Sequence, residues 1–160
     1  MKKIIEELKS QIKKEIGIMP VLAPQKAGGN TAMITLFFTG MMAAGELPGD
    51  NQKTANEELD MTAVFSIAGT HENWLNTAIS YSRRLMQLVE SGGKMPLKIT
   101  YTTSGEEKTI QIYAQWNRTG KGQFVYDEED KNMPVTYVEN YTVTIVYPAY
   151  IVGGIHESNG

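Results

Sequence analysis

The sequence predicts an α+β domain, an antiparallel or mixed sheet with one central helix packed on a face and an amphipathic helix at the N-terminus. Two changes of hydrophobic period predict it. Met61, Ala63, Phe65 and Ile67 alternate, as in a strand with one buried face. Trp74, Leu75, Ala78, Ile79, Ser82, Leu85, Met86 and Val89 then recur at helical spacing. Leu97, Ile99 and Tyr101, followed by Ile110, Ile112, Ala114 and Trp116, return to period two. A strand, an amphipathic helix and a hairpin in that order lay the helix on an antiparallel sheet.

The first helix is expected over residues 2–16. Ile4, Ile5, Leu8, Ile12 and Ile16 form one narrow stripe among Lys, Glu, Gln and Ser, and Gly17 supplies a left-handed C-cap. Residues 18–24 are extended and broken by Pro20 and Pro24, which suits an edge segment. Residues 26–30 form a Gly-rich connection. Residues 31–39 are the first full strand, with Met33, Thr35 and Phe37 on one side and Ile34, Leu36 and Phe38 on the other. Apolarity on both sides implies burial between layers or at a subunit contact.

Residues 40–60 read as a long loop. Met41, Met42, Ala43 and Ala44 are apolar without period at its start, and Leu47 lies in its polar part. A loop of this length in a compact domain is a candidate assembly surface, and Met adapts to irregular partners. The central helix is expected to start near Thr70 or His71, with Glu72 in its first turn, and to stop at Ser91-Gly92-Gly93. Trp74, Leu75, Ala78, Ile79, Leu85 and Met86 are its expected buried residues. Arg83 and Arg84 fit a solvated face near its C-terminus, or an acidic partner.

Residues 98–103 and 109–116 form the expected hairpin around Ser104-Gly105-Glu106, followed by a turn at 119–123 and a short strand at Phe124, Val125 and Tyr126. Residues 137–147 form the last strand. Tyr137, Tyr141, Val143, Ile145 and Tyr147 share one of its faces, and Glu139 interrupts that face. Pro148 ends regular pairing. Residues 1–152 make one domain, and residues 153–160 a mobile tail.

Composition narrows the function. The chain has 160 residues, enough for one domain with a real core. Fifteen Lys and Arg against 18 Asp and Glu give a net charge of -3, without the basic excess that a general phosphate-binding surface needs. No cysteine is present, which removes disulfides, thiolate nucleophiles and cysteine-ligated metal sites. The charged start MKKIIEELKS has no signal-peptide core, and no apolar run reaches the length of a membrane helix. The expectation is a soluble protein made in the cytoplasm, with no membrane partner and no sequence-specific nucleic acid.

Residue patterns for catalysis or metal binding are missing. His71 and His156 share no ligand spacing, and Ser66-Ile67-Ala68-Gly69 lacks the frame of a nucleophile elbow. Asp127, Glu128, Glu129 and Asp130 lack the alternation and central glycine of a calcium loop, so they read as a solvated acidic run. Gly28-Gly29-Asn30-Thr31 and Gly120-Lys121-Gly122 lack phosphate-loop spacing. The expectation is a protein without catalytic residues, cofactor or metal.

The helix MKKIIEELKSQIKKEIG, the unit MTAVFSIAGTHENWLNTAISYSRRLMQLVESGG and the strand YVENYTVTIVYP follow an order that resembles the tail terminator, or tail completion, proteins of long-tailed bacteriophages and phage-tail-like particles. That resemblance covers most of the chain as a pattern of elements. The loop at 40–60 and the arm at 120–132 depart from its leanest form. It implies a non-enzymatic virion tail protein, assembled in the bacterial cytoplasm as a homo-oligomeric ring, typically a hexamer. Such a ring caps the tail tube, ends its polymerisation and presents a head-joining surface. The implied partners are other copies of the chain, the tube protein, and sheath and head–tail connector proteins. Met41, Met42, Leu47, Arg83, Arg84, Tyr141 and Tyr147 are the candidate assembly residues. The alternatives are another ring or tube component of such a particle, and a small ligand-binding or enzymatic α+β domain.

Overall fold

The structure, a computed structural model, describes residues 1–22, 32–43, 56–69, 74–125, 128–129 and 135–152. It is an α+β fold of two helices and a mostly antiparallel sheet. The elements run α1 (Lys2–Ile16), β1 (Val21–Leu22), β2 (Ala32–Ala43), β3 (Asn56–Gly69), α2 (Trp74–Gln87), β4 (Lys94–Thr103), β5 (Glu106–Arg118), β6 (Gln123–Val125) and β7 (Val135–Pro148), closing with a 3-10 turn at Ala149–Val152. The strand order is β1-β2-β3-β7-β5-β4, and β6 also pairs with β7. Among the described residues only the β1–β2 pair is parallel.

The last strand in sequence lies in the middle of the sheet. Along one side, β7 pairs with all of β3, from Asn56↔Pro148 to Gly69↔Val135. Along the other it meets β5 from Tyr113↔Val146 to Arg118↔Tyr141, then β6 from Gln123↔Val138 to Val125↔Thr136. β5 and β6 thus act as one interrupted strand, broken at the turn around Gly120. The register places Leu59, Met61, Ala63, Phe65 and Ile67 of β3 beside Ile145, Val143, Tyr141, Glu139 and Tyr137. Apart from the half-buried Tyr137, all of these are buried.

The helices cover this face. The whole stripe of α1 is buried, and its five aliphatic side chains, worth roughly 1.5–3 kcal/mol each on full burial, join the strand residues in one core. Gly17 has φ 85° and its N–H donates to the Lys13 carbonyl, the expected cap. Between β4 and β5, Ser104 and Gly105 have φ of 51° and 78°, the paired positive values that a tight hairpin turn requires.

Several expectations are corrected. Both ends of the segment 40–60 are strand: β2 continues to Ala43 past an irregularity between Phe38 and Gly40, and β3 starts at Asn56. The rest of the expected loop, residues 44–55 with Leu47, lies outside the described residues. α2 ends at Gln87 rather than near Ser91, because the Leu88 and Val89 amides turn back to Leu85 and Met86. The hairpin gains four residues at its start, Lys94–Thr103, and two at its end. Gly93 explains the tight entry: with φ 82°, any Cβ on it would stand 2.6 Å from the Trp116 carbonyl oxygen. On α2, Ala78 and Leu85 are buried as expected, but Ile79 (39% exposed) and Met86 (40%) face outward. The side chains of Trp74 and Leu75, the helix start at 70–73 and the tail at 153–160 lie outside the described residues.

Burial separates two neighbours on α2. Leu85→Asp should unfold the domain, since a buried unpaired carboxylate costs several kcal/mol against a total stability of about 5–15 kcal/mol. Met86→Asp should stay within about 0.5 kcal/mol of the parent, as exposed substitutions usually do. Thermal denaturation of both variants tests this; equal melting temperatures would contradict the assigned helix face.

Candidate functional site

The most polar place in the interior surrounds Glu139, on the helix-covered face of β7 and only 1% exposed. Four side chains converge on its carboxylate. The Arg118 guanidinium, at the end of β5, donates to Oε1 at 2.8 Å. Tyr137 and Tyr141, its neighbours along the strand face, donate their hydroxyls to Oε1 at 2.6 Å and to Oε2 at 2.7 Å. Ser82 of α2 places its hydroxyl 3.0 and 2.9 Å from the two oxygens. Every contact brings a donor to an acceptor, so the carboxylate is satisfied without water.

Aromatic rings wall the cluster. Trp116 meets Tyr141 edge to face, with centroids 5.6 Å apart, and Phe124 of β6 meets Tyr137 at 5.1 Å. Gly122 lies against Tyr137, whose hydroxyl and ring leave no room for a Cβ. Phe65 and Tyr81 close the α2 side at 6.2 Å. The Trp116 indole N–H is buried without a hydrogen-bond partner. Burial, and then the bond to Glu139, push the Tyr141 hydroxyl well above the ordinary tyrosine pKa, and Tyr137 moves the same way for the same reasons in the same order.

All four donors reach the carboxylate from within the chain, which makes the cluster an anchor. It ties α2 to the sheet through Ser82 and fixes the break between β5 and β6 through Arg118 and Tyr137. Among the described residues, no group of His, Cys, Asp and Glu is placed to hold a metal ion.

The candidate assembly residues divide. Tyr141 and Tyr147 are buried in the chain's own core at 1% and 0% exposure, which removes their side chains from the surface. Arg83 and Arg84 are exposed on α2 and form no ion pair among the described residues. Met41 and Met42 belong to β2, paired with Leu59 and Glu58; their side chains lie outside the described residues. Residues 141–146 pair on both sides within the chain, whereas in 34–38 only Thr35 and Leu36 do, the others pairing with β3 alone among the described residues. The apolar surface lies elsewhere: Ile79 and Met86 on α2, Tyr113 opposite Val146 on the uncovered sheet face, Met19 and Leu22 at β1, and Phe124 and Val125 at β6. Sequence periodicity missed these because buried and exposed apolar residues look alike in sequence. The short apolar strands at the two sheet edges were the available signal.

Comparison of the sequence with known protein families and with curated proteins finds no match. No helix among the described residues is long and apolar enough to cross a membrane.

Two predictions concern the cluster. Glu139→Gln should destabilise by about 2–4 kcal/mol, because the amide offers one acceptor where two oxygens served four donors and strands buried hydroxyls. Arg118→Gln should cost about 1 kcal/mol or less, because solvent screens a 45%-exposed guanidinium. Urea denaturation ranks them, and a costlier Arg118→Gln would reverse the assignment. The second follows from the tyrosines. Their folded-state pKa values lie above the unfolded value, so their contribution is complete below about pH 10 and is lost as pH rises beyond it. Stability should fall above pH 10, less steeply in Tyr141→Phe. An equal slope in that variant would count against the cluster.

Proposed function

We propose that this chain is a non-enzymatic structural protein of a phage or phage-like tail, forming a ring that caps the tail tube, ends its growth and offers the head-joining surface. One observation carries the reading beside the pattern resemblance. The exposed apolar side chains are spread over separate places, at both sheet edges, on the outer face of α2 and on the uncovered sheet face. A subunit in a ring that also contacts a tube needs several distinct surfaces, whereas a ligand-binding domain gathers its polar groups in one cavity. The polar cluster around Glu139 is consumed by internal bonds, which favours assembly over chemistry.

Removing the gene from the particle should give tails of uncontrolled length or tails that do not join heads. Restoring it with both Ile79→Asp and Met86→Asp should give a folded protein that fails to finish tails, if the α2 face makes one of the contacts. Normal tails joined to heads without the gene would refute the terminator reading. Normal completion by the double variant would remove α2 from the contact surfaces.

A further inference from the structure

We propose that neighbouring copies of this chain join edge to edge, strand β6 of one copy pairing antiparallel with strand β1 of the next. The inference rests on the ring reading and names its contact.

The topology carries it first. β1 and β2 run the same way, β3 opposite to them, β7 with them and β6 opposite again. A rotation about an axis along the strands preserves each sense, so β6 of one copy meets β1 of the next antiparallel. The two edges also lie at the same end of the sheet. Val21 and Leu22 reach, through Thr35 and Leu36 and then Val64 and Ala63, the level of Asn140 and Tyr141. β6 sits beside residues 136–138 of the same strand.

The edges themselves differ in protection. β4, the outer strand beside β5, has Pro96 in its ladder, exposed Lys94 and Lys98, and α1 against it, with Lys3 donating to the Thr100 carbonyl. Charges, proline and a covering helix are how proteins block edge pairing. β1 reads Val-Leu and β6 Gln-Phe-Val, without any charge in either strand. Val125 is 55% exposed, and Met19 and Leu22 nearly half. Among the described residues, the outer edge of Gln123 and Val125 meets no strand.

Charge names the occupant. Shortly before β1, the last turn of α1 exposes Lys13 and Lys14, with Glu15 beside them. Just after β6, Glu128 is exposed; Glu129, also exposed, already has a partner within its own chain. Joining β6 to the next β1 brings an acidic segment to a basic helix end, and each protomer carries both halves. The two surfaces are different, so the contact repeats head to tail and closes by rotation instead of stopping at a two-fold dimer.

The cysteine-free chain permits a direct test. By register Val21 and Val125 lie on the same sheet face, opposite Glu139, and within one chain they stand four strand spacings apart, about 19 Å, beyond the reach of a disulfide. Mixed Val21→Cys and Val125→Cys proteins, oxidised, should give a covalent dimer, with Val21→Cys and Gln123→Cys covering a register two residues away. A protein carrying both Val21→Cys and Val125→Cys should give a ladder ending at the ring. Val21→Cys mixed with Glu107→Cys, at the hairpin tip, sets the level of random collision. Lys13→Glu with Lys14→Glu should lower the dimer yield several-fold, and Glu128→Lys on the other copy should recover part of it. Dimer yields no higher than the hairpin-tip control overturn the edge pairing. Rings that still form, by native mass measurement, would leave the ring reading standing, and the gene-removal experiment judges that reading separately.

Discussion

The buried carboxylate of Glu139 is the constraint on which the arrangement depends. It sits in the strand that joins both halves of the sheet, and its donors come from α2, the end of β5 and β7 itself. A one-residue slip of β7 would turn Glu139, Tyr137 and Tyr141 to the uncovered face and strip the cluster of its bonds, so the carboxylate selects one register. Its influence reaches the edge. Tyr137 is held by Glu139, Phe124 packs on Tyr137, and Gly122 folds beneath the same ring. The position of β6 is therefore set from the core.

A saturated polar cluster is an unusual way to fill a small core. Apolar residues of equal volume often match or exceed a buried ion pair in stability, so the gain from such a pair is better sought in specificity. Here the alternatives are concrete. A two-residue slip of β7 against β3 would keep Tyr141, Val143 and Ile145 on the buried face, beside other apolar residues of β3. Only one register presents a carboxylate to Ser82, Arg118 and two tyrosines together.

Local patterns made much of the fold legible. The stripe of α1, its Gly17 cap, the alternation of β3 and the Ser104-Gly105 turn each depend on contacts that period and turn chemistry encode. The Glu139 cluster was not legible, because Ser82, Arg118 and Glu139 meet through topology across up to 57 positions of chain. Glu139 read as a flaw in an apolar face because its partners were invisible. The extension of β2 and β3 was missed for another reason. Gly40 and the unpatterned Met41, Met42 and Ala43 carry no strand signal, and only pairing with β3 makes them strand. Ile79 and Met86 were misassigned because a helix apolar around more than half its girth does not disclose which part faces the core.

Edge-to-edge joining bears on how a ring could end growth. With β1 and β6 engaged, the helix-covered and uncovered faces look inward and outward, and the strand ends look along the axis. Those ends differ. At one, the β4–β5 hairpin continues past Pro148, the last residue of β7, and carries Glu106 and Glu107 at its turn. At the other lie β1, β6, the lysines that end α1 and the exposed Glu128 and Glu129. A ring whose two ends were complementary would stack on itself and lengthen the tube. In the proposed reading a projecting hairpin with Glu106 and Glu107 opposite an end of mixed charge has no such match, so a ring docked on a tube would leave the next layer without a template. In the proposed reading, termination is then a property of unlike ends, and the register set by Glu139 keeps them unlike by holding β6 at one end while β5 runs out to the other.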